Sequence, residues 1–283
     1  VAWLCTELQA MGWRPAILSR GYGADQTGGI DDENEMLSAM TRDVPVVVDP
    51  DRVAGARAAV DEEGADILVM DDGFQHRRLH RDLDLVLVDA LLPFGGGYML
   101  PRGGLREPVE GLGRADAVVI TRADQVPLSE LERLRKRLRK SAGPVPLAAA
   151  RHVPSGVSSV REGPAPALDV LAEGTWGAFC GLGNPEGFRR TLLDLGTDLE
   201  FFRTFPDHHS YSRDELKGMQ RRGMECGCRG LLTTEKDAIK LDSLPEIPAA
   251  LPLLVLQVRM EIVEGAAGLL EAVSDIVEGD RGE

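Results

Sequence analysis

Residues 67–77 read Ile67-Leu-Val-Met-Asp71-Asp72-Gly-Phe-Gln-His76-Arg77. A four-residue apolar run closes on two adjacent carboxylates and a glycine, and a polar Gln-His-Arg cluster follows. Such a run does not suit a strand with one wet face. It asks for cover on both faces, as the inner strands of a parallel sheet do. Carboxylates that follow the strand stand at the carboxyl edge of the sheet, where α/β folds bind their ligands. This is the Walker B arrangement, and its hard oxygen donors suit Mg²⁺, held directly or through water. Asp71 and Asp72 are therefore the candidate metal ligands. Aspartate also ends many strands for reasons of turn geometry alone, so the motif by itself admits a structural reading.

Outward from this stretch the same pattern recurs. Pro15-Ala-Ile-Leu-Ser19, Val46-Val-Val48, Leu85-Val-Leu-Val88 and Ala117-Val-Val-Ile120 are short apolar runs. Helical spacing separates them: Val1, Leu4, Leu8 and Met11 ahead of Gly12, then about Asp32–Met40 and Asp51–Glu63. Strands alternating with helices predict a doubly wound, mostly parallel α/β sheet. A second α/β series follows, with strands at Ala178–Cys180, Leu199–Phe205 and Gly230–Thr233. Its helices lie near Pro185–Leu195, Arg213–Cys226 and Ala266–Val277. Between the two series, Arg151–Gly174 is rich in Pro, Gly and Ser and lacks a period. The expected organisation is a core over 1–150, a linker or irregular crossing over 151–174, and a smaller α/β domain over 175–283.

The chain has 283 residues, a net charge of −14, an apolar fraction of 43% and a charged fraction of 28%. That balance is ordinary for a globular protein and argues against nucleic acid as a partner, which needs a broad basic surface. One basic segment runs against the trend: Arg133, Arg135, Lys136, Arg137, Arg139 and Lys140. Cys5, Cys180, Cys226 and Cys228 are too scattered for a disulfide scaffold, and the lone Cys226-x-Cys228 has no second ligand pair nearby. A reducing, cytoplasmic setting is expected. No apolar run approaches the ~18 residues of a membrane span.

Several segments together resemble the tetraacyldisaccharide 4′-kinase family. The signature is Asp71-Asp-Gly-Phe-Gln-His-Arg-Arg-Leu-His-Arg-Asp82. In the same order as the family come Leu18-Ser-Arg-Gly-Tyr-Gly23, Asp32-Glu33, Leu100-Pro-Arg-Gly-Gly-Leu-Arg106-Glu107-Pro108, Gly181-Leu-Gly-Asn184, Phe205-Pro-Asp-His208 and Thr233-Thr-Glu-Lys236-Asp237. The resemblance runs from the first residues to about residue 241. It implies a P-loop NTPase-like fold with ATP and Mg²⁺ as cofactors. The implied reaction is γ-phosphate transfer to the 4′-hydroxyl of a tetraacylated glucosamine disaccharide 1-phosphate, a step of lipid A biosynthesis. The implied place is the inner face of the bacterial inner membrane.

Phosphoryl transfer asks a protein mainly for positioning and charge stabilisation, and the resemblance distributes those jobs. Asp32 matches the catalytic aspartate that accepts the proton of the sugar hydroxyl, and His208 the histidine that acts with it. Here Asp32-Glu33 is followed by Asn-Glu where many relatives carry proline, which leaves Asp31 as a second candidate. A helix cap for Asp32 and a hydrogen-bonded loop role for His208 are the structural alternatives. Arg20 and Gly21, after the Pro15–Ser19 run, could meet an anion through guanidinium and backbone amide. Arg106 suits bidentate contact with phosphate, and Glu107 beside it could join the metal shell. Lys236 could contact base or phosphate, whereas Thr234 and Asp237 have the spacing of a capping box.

A P-loop kinase cradles phosphate in G-x-x-x-x-G-K-[ST]. The lysines here are Lys136, Lys140, Lys217, Lys236 and Lys240, and none follows a glycine. In the family this loop lies just before the helix that opens here at Val1. The expectation is a chain shortened at its start, which binds ATP poorly and turns over little. Finally, Leu131, Leu134 and Leu138 share one helical face in the basic segment, with cations around the rest. That pattern fits a sheet-covering helix with a solvated basic face, or a contact with anionic lipid headgroups.

Overall fold

The structure is a computed structural model that describes residues 1–21, 32–41, 43–160, 165–207, 209–242, 244 and 250–279. For Asp32, Glu33, Asp242 and residues 277–279 it describes the backbone alone. In chain order the elements are α1 (Ala2–Ala10), β1 (Pro15–Ser19), α2 (Asp32–Met40), β2 (Val46–Val48), α3 (Arg52–Asp61) and β3 (Ile67–Met70). Then come β4 (Leu85–Asp89), β5 (Ala117–Thr121), α4 (Leu128–Ala142) and β6 (Leu147–Ser159). The last group is β7 (Thr175–Cys180), α5 (Pro185–Asp194), β8 (Asp198–Thr204), α6 (Arg213–Glu225), β9 (Gly230–Thr234), α7 (Glu235–Asp242), β10 (Leu253–Glu264) and α8 (Ala266–Gly279).

Compactness divides the chain differently from the consecutive blocks 1–150 and 175–283. One unit joins Val1–Asp71 to Pro154–Arg259, and the other joins Asp72–Val153 to Met260–Glu283. The linker expected over 151–174 is corrected as well. Residues 151–159 complete β6, and a 3-10 turn covers Leu168–Ala172. Composition misled there because this half of β6 carries Arg151, His152, Pro154, Ser155 and Gly156, which hide a strand from a search for apolar runs. Only Val157 in it is deeply buried.

In the first unit β2, β1 and β3 pair in that order and in parallel, with Ile17 opposite both Val46 and Val69. All five residues of β1 are buried, as a strand covered on both faces requires. A further parallel set runs β10-β9-β7-β8. Its core gathers Trp176, Phe188, Leu192 and Leu232 on one side and Phe179, Leu216, Met219 and Leu231 on the other. Gly177 in β7 is required by close packing, since a Cβ there would stand 2.3 Å from the Phe201 ring. In the second unit β4-β5-β6 is parallel, and Leu131, Leu134 and Leu138 of α4 lie in the core with Val118 and Ile120. Each such buried side chain contributes roughly 1.5–3 kcal/mol. The leucine stripe of α4 is thus a sheet-covering face.

Candidate functional site

Asp71 sits just beyond β3, at the carboxyl edge of the β2-β1-β3 sheet. Its N–H donates to Leu18 O at 2.9 Å, which extends the strand pairing by one residue. The first residue of α3 fixes the same corner. Arg52, only 6% exposed, donates through Nη1 to Asp71 O at 2.9 Å and to Leu18 O at 3.3 Å. A buried guanidinium spent on two strand-end carbonyls costs desolvation, and what it secures is the backbone that aims Asp71. Beside it, past the end of β1, Gly21 has φ of 71° and its N–H reaches Ser19 Oγ at 3.4 Å. That left-handed conformation suits glycine, and Arg20 next to it is exposed.

Asp72 opens the second unit with φ of 49°, a conformation that Asp tolerates better than most residues. Its carboxylate pairs with the Arg106 guanidinium. Glu107 is held separately: Gln75 Nε2 donates to it at 2.9 Å, and Arg114 Nη2 donates to both its oxygens at 2.9 and 3.1 Å. Arg114 also lies 4.4 Å from the centroid of Phe74. Burial works against the charge on Glu107, but the bonds from Gln75 and Arg114 and the cations Arg114 and Arg77 outweigh it, and the carboxyl sits below its ordinary range. The Asp72-Gly-Phe-Gln run and the Arg106-Glu107 pair, far apart in sequence, therefore meet in one polar network. The capping interactions of Arg81, to Asp84 Oδ1 at 2.5 Å and to His76 O, close the turn that carries it.

The Thr234-Glu-Lys-Asp237 segment holds more than the cap read from its spacing. Asp237 N donates to Thr234 Oγ1 at 3.2 Å, and Thr234 Oγ1 donates to Asp237 Oδ2 at 2.7 Å. The same carboxylate, fully buried, accepts from Gly181 N at 3.1 Å and from Tyr211 Oη at 2.8 Å. Burial and that carboxylate push the Tyr211 phenol far up from its ordinary value. Lys236 meets a carboxylate, Asp207 Oδ1, at 3.2 Å. His209 stacks on Phe205 with ring centroids 4.6 Å apart, and its Nε2 lies 3.2 Å from Glu215 Oε1. Asp32 begins α2, but its side chain and the whole of His208 lie outside the described residues.

Among the described residues no group of three or more His, Cys, Asp or Glu side chains is placed to hold a metal ion. Cys226 is exposed and Cys228 buried, both as free thiols. No helix among the described residues is long and apolar enough to cross a membrane.

A family model for tetraacyldisaccharide-1-P 4′-kinase matches residues 1–278. The tetraacyldisaccharide 4′-kinase of Anaeromyxobacter sp. (strain K) is 41% identical over 289 residues, which cover 96% of this chain and 75% of that relative. The chain belongs to the tetraacyldisaccharide 4′-kinase family. A more distant member, from Syntrophus aciditrophicus, is 36% identical over 90% of this chain and 74% of its own length. The fold agrees with the family as well. The crystal structure of LpxK from Aquifex aeolicus in complex with ATP superposes with a TM-score of 0.73 at 26% identity, over 98% of this chain and 82% of that one. The doubly wound α/β architecture expected from the apolar runs, and the P-loop-kinase-like fold that the resemblance implied, are thus the fold of this family member.

Sequence reading did not single out Arg52, Arg114 or the depth of Asp237. Gln75 was visible as part of the Gln-His-Arg cluster, and Thr234 with Asp237 as a capping pair. Nothing in local spacing pointed to Gly181 or Tyr211 as further partners.

Proposed function

We propose that this chain carries the body of an ATP-dependent kinase that phosphorylates the 4′-hydroxyl of a tetraacylated glucosamine disaccharide 1-phosphate, in lipid A biosynthesis. The observation that carries the reading is the family match over residues 1–278, with the Asp71-Asp72-Gly-Phe-Gln-His motif at a parallel-strand end. The site residues fit a magnesium nucleotide. Asp71 presents a hard oxygen donor on a backbone pinned by Arg52, and Asp72 stands next to it in the chain. When bound, Mg²⁺ neutralises phosphate charge. Glu107, kept ionised by Gln75 and Arg114, would join its outer contacts.

Arg106 supplies a guanidinium beside Asp72, placed to exchange carboxylate for phosphate oxygen. Arg20, the Gly21 amide and Lys236 are the other nucleotide-binding candidates. Asp32 would take the proton of the attacking hydroxyl, and His208 would orient Asp32. An acylated acceptor places the enzyme at a membrane surface, peripheral to the inner face of the inner membrane.

The test is transfer of label from γ-labelled ATP to the disaccharide 1-phosphate in detergent micelles with Mg²⁺. These 283 residues contain no G-x-x-x-x-G-K-[ST] run, so turnover by them alone is expected to be slow. A relative's phosphate-loop segment joined ahead of Val1 is expected to raise it. In that active form Asp71→Asn and Asp32→Asn each lower kcat by at least about 100-fold. A fused protein that transfers phosphate at an unchanged rate with Asp71→Asn would remove the metal assignment. One that never transfers phosphate would remove the kinase reading.

A further inference from the structure

Residues 90–105 of the second unit form a loop with an unusual distribution of apolar side chains. Phe94 is buried in the core with Val118 and Leu138, and so anchors the loop. Leu91, Leu92, Tyr98, Met99 and Leu100 do the opposite, each between 40% and 62% exposed. Isolated exposed leucines are common on protein surfaces, but five large apolar residues on one short loop are not.

The loop is built to hold them outward. Gly104 N donates to Gly95 O at 2.8 Å, Leu105 N to Tyr98 O at 3.1 Å, and Leu100 N to Leu105 O at 2.9 Å. Its two limbs approach so closely that a Cβ on Gly95 would lie 2.6 Å from Gly104 Cα, and one on Gly103 would lie 2.3 Å from Tyr98 O. Collapse of the apolar side chains onto the protein would have to break this cross-bonding.

Cations border the loop. The Arg102 guanidinium covers the Tyr98 ring at 3.8 Å, and that of Arg137 covers Phe94 at 4.5 Å. Arg137 belongs to α4, where Arg133, Lys136, Arg137 and Lys140 follow i, i+3, i+4, i+7 spacing and all are exposed. Arg135 is not part of this stripe, being tied to Glu132 and Glu264 and largely covered, while the exposed Arg133 lies 3.8 Å from Glu130. Lys136 and Lys140 have no acidic partner among the described residues. In a chain of net charge −14, a stripe of this sign stands out, and charge acts over only about a Debye length of 8 Å.

From this juxtaposition we infer that the 91–100 loop and the Arg133–Lys140 stripe of α4 form one docking surface for an anionic lipid bilayer, the leucines and Met99 entering the headgroup–acyl boundary while the cations meet lipid phosphates. Apolar insertion next to basic side chains is the combination that holds a peripheral protein on such a surface, since neither signal alone binds firmly. A water-facing protein partner would match the leucines but not the cationic stripe on a protein otherwise acidic. The inference rests on the proposed reading in one respect, the membrane-bound acceptor, and deepens it by naming the contact.

The experiment is flotation of the 283-residue protein with vesicles that contain neither ATP nor the disaccharide, so its outcome is independent of the kinase reading. Binding is expected on phosphatidylethanolamine–phosphatidylglycerol vesicles and at least about tenfold weaker on pure phosphatidylcholine. Leu92→Ser/Leu100→Ser and, separately, Lys136→Glu/Lys140→Glu are each expected to weaken binding about tenfold or more, with circular dichroism and Tm unchanged because all four side chains are exposed. A label on Leu100→Cys, in a Cys226→Ser background, is expected to shift to the blue on the anionic vesicles. Wild-type protein that does not float, or floats equally in both variants, overturns the inference. So does self-association or protein binding that Leu92→Ser/Leu100→Ser abolishes while flotation is absent.

Discussion

Two glutamates of this protein titrate in opposite directions, and only their surroundings differ. Glu107 is held below its ordinary range although burial opposes it, because an amide and a guanidinium donate to its carboxylate. Glu235 is pushed up, by burial first, with the Val258 N–H at 3.1 Å acting the other way. It lies among Met36, Met40, Ala238, Ile239 and Val255, lining a cavity of about 220 Å³. The folded protein therefore holds the Glu235 proton more tightly than the unfolded chain does. Stability from this group is complete below the unfolded value near 4.5 and is lost as pH rises through the folded one. Glu235→Gln keeps an oxygen for the Val258 N–H and removes the ionisation. It is expected to stabilise the protein at pH 7 by a few tenths to about 1 kcal/mol, discounted for partial exposure. The gain should vanish below about pH 4.5. Urea midpoints of the two proteins at pH 4 and pH 7 check this, and a gain that persists at pH 4 would assign it to packing instead.

At the scale of elements, Asp237 ties its own turn to two segments that sequence places far away. Its carboxylate receives Gly181 after β7, Tyr211 in the connection after β8, and Thr234 at the end of β9. Asp237→Ala leaves these donors without an acceptor in a fully buried place, and the expected cost is about 3 kcal/mol or more. Thr234→Ala, which removes only the local cap, should cost about 1 kcal/mol. Equal losses for the two variants in equilibrium urea unfolding would reduce Asp237 to a capping residue. The contrast also shows what sequence could convey. The cap was legible because its two partners are three residues apart, while Gly181 and Tyr211 are reached only through the sheet. The inner strands β1 and β5 were legible because burial on both faces leaves them apolar up to Ser19 and Thr121, whereas β3, at the edge of its set with Val69 its one deeply buried residue, was legible from its apolar composition alone. Neither β6 nor β10 drew a prediction, and in β6 Pro154, Ser155 and Gly156 disguise the second half as a loop. The Asp71-Asp72 motif announced its place at a strand end. The guanidinium of Arg52 that fixes it looks, in sequence, like any helix cation.

The whole molecule raises a question of cooperativity. Its compact units are discontinuous in sequence, and the chain passes between them at Asp71–Asp72, Val153–Pro154 and Arg259–Met260. The last two passages fall inside β6 and β10, which continue without a break. A strand cannot lose half its pairing without disturbing the backbone of the other half, so melting of either unit should propagate through both strands. The aromatic residues make this testable. Trp3, Trp13 and Trp176 all belong to the first unit, so tryptophan fluorescence reports on it alone. Far-UV circular dichroism reports on the helices of both, including α4. The expectation is one transition in urea, with fluorescence and circular dichroism midpoints coincident and a single m-value fitting both. Helical signal that survives past the fluorescence transition would show the second unit to be stable without the first. In that event β6 and β10 would be connections between two independently folding bodies, and the apolar core around Val118, Ile120 and Leu138 would suffice for one of them.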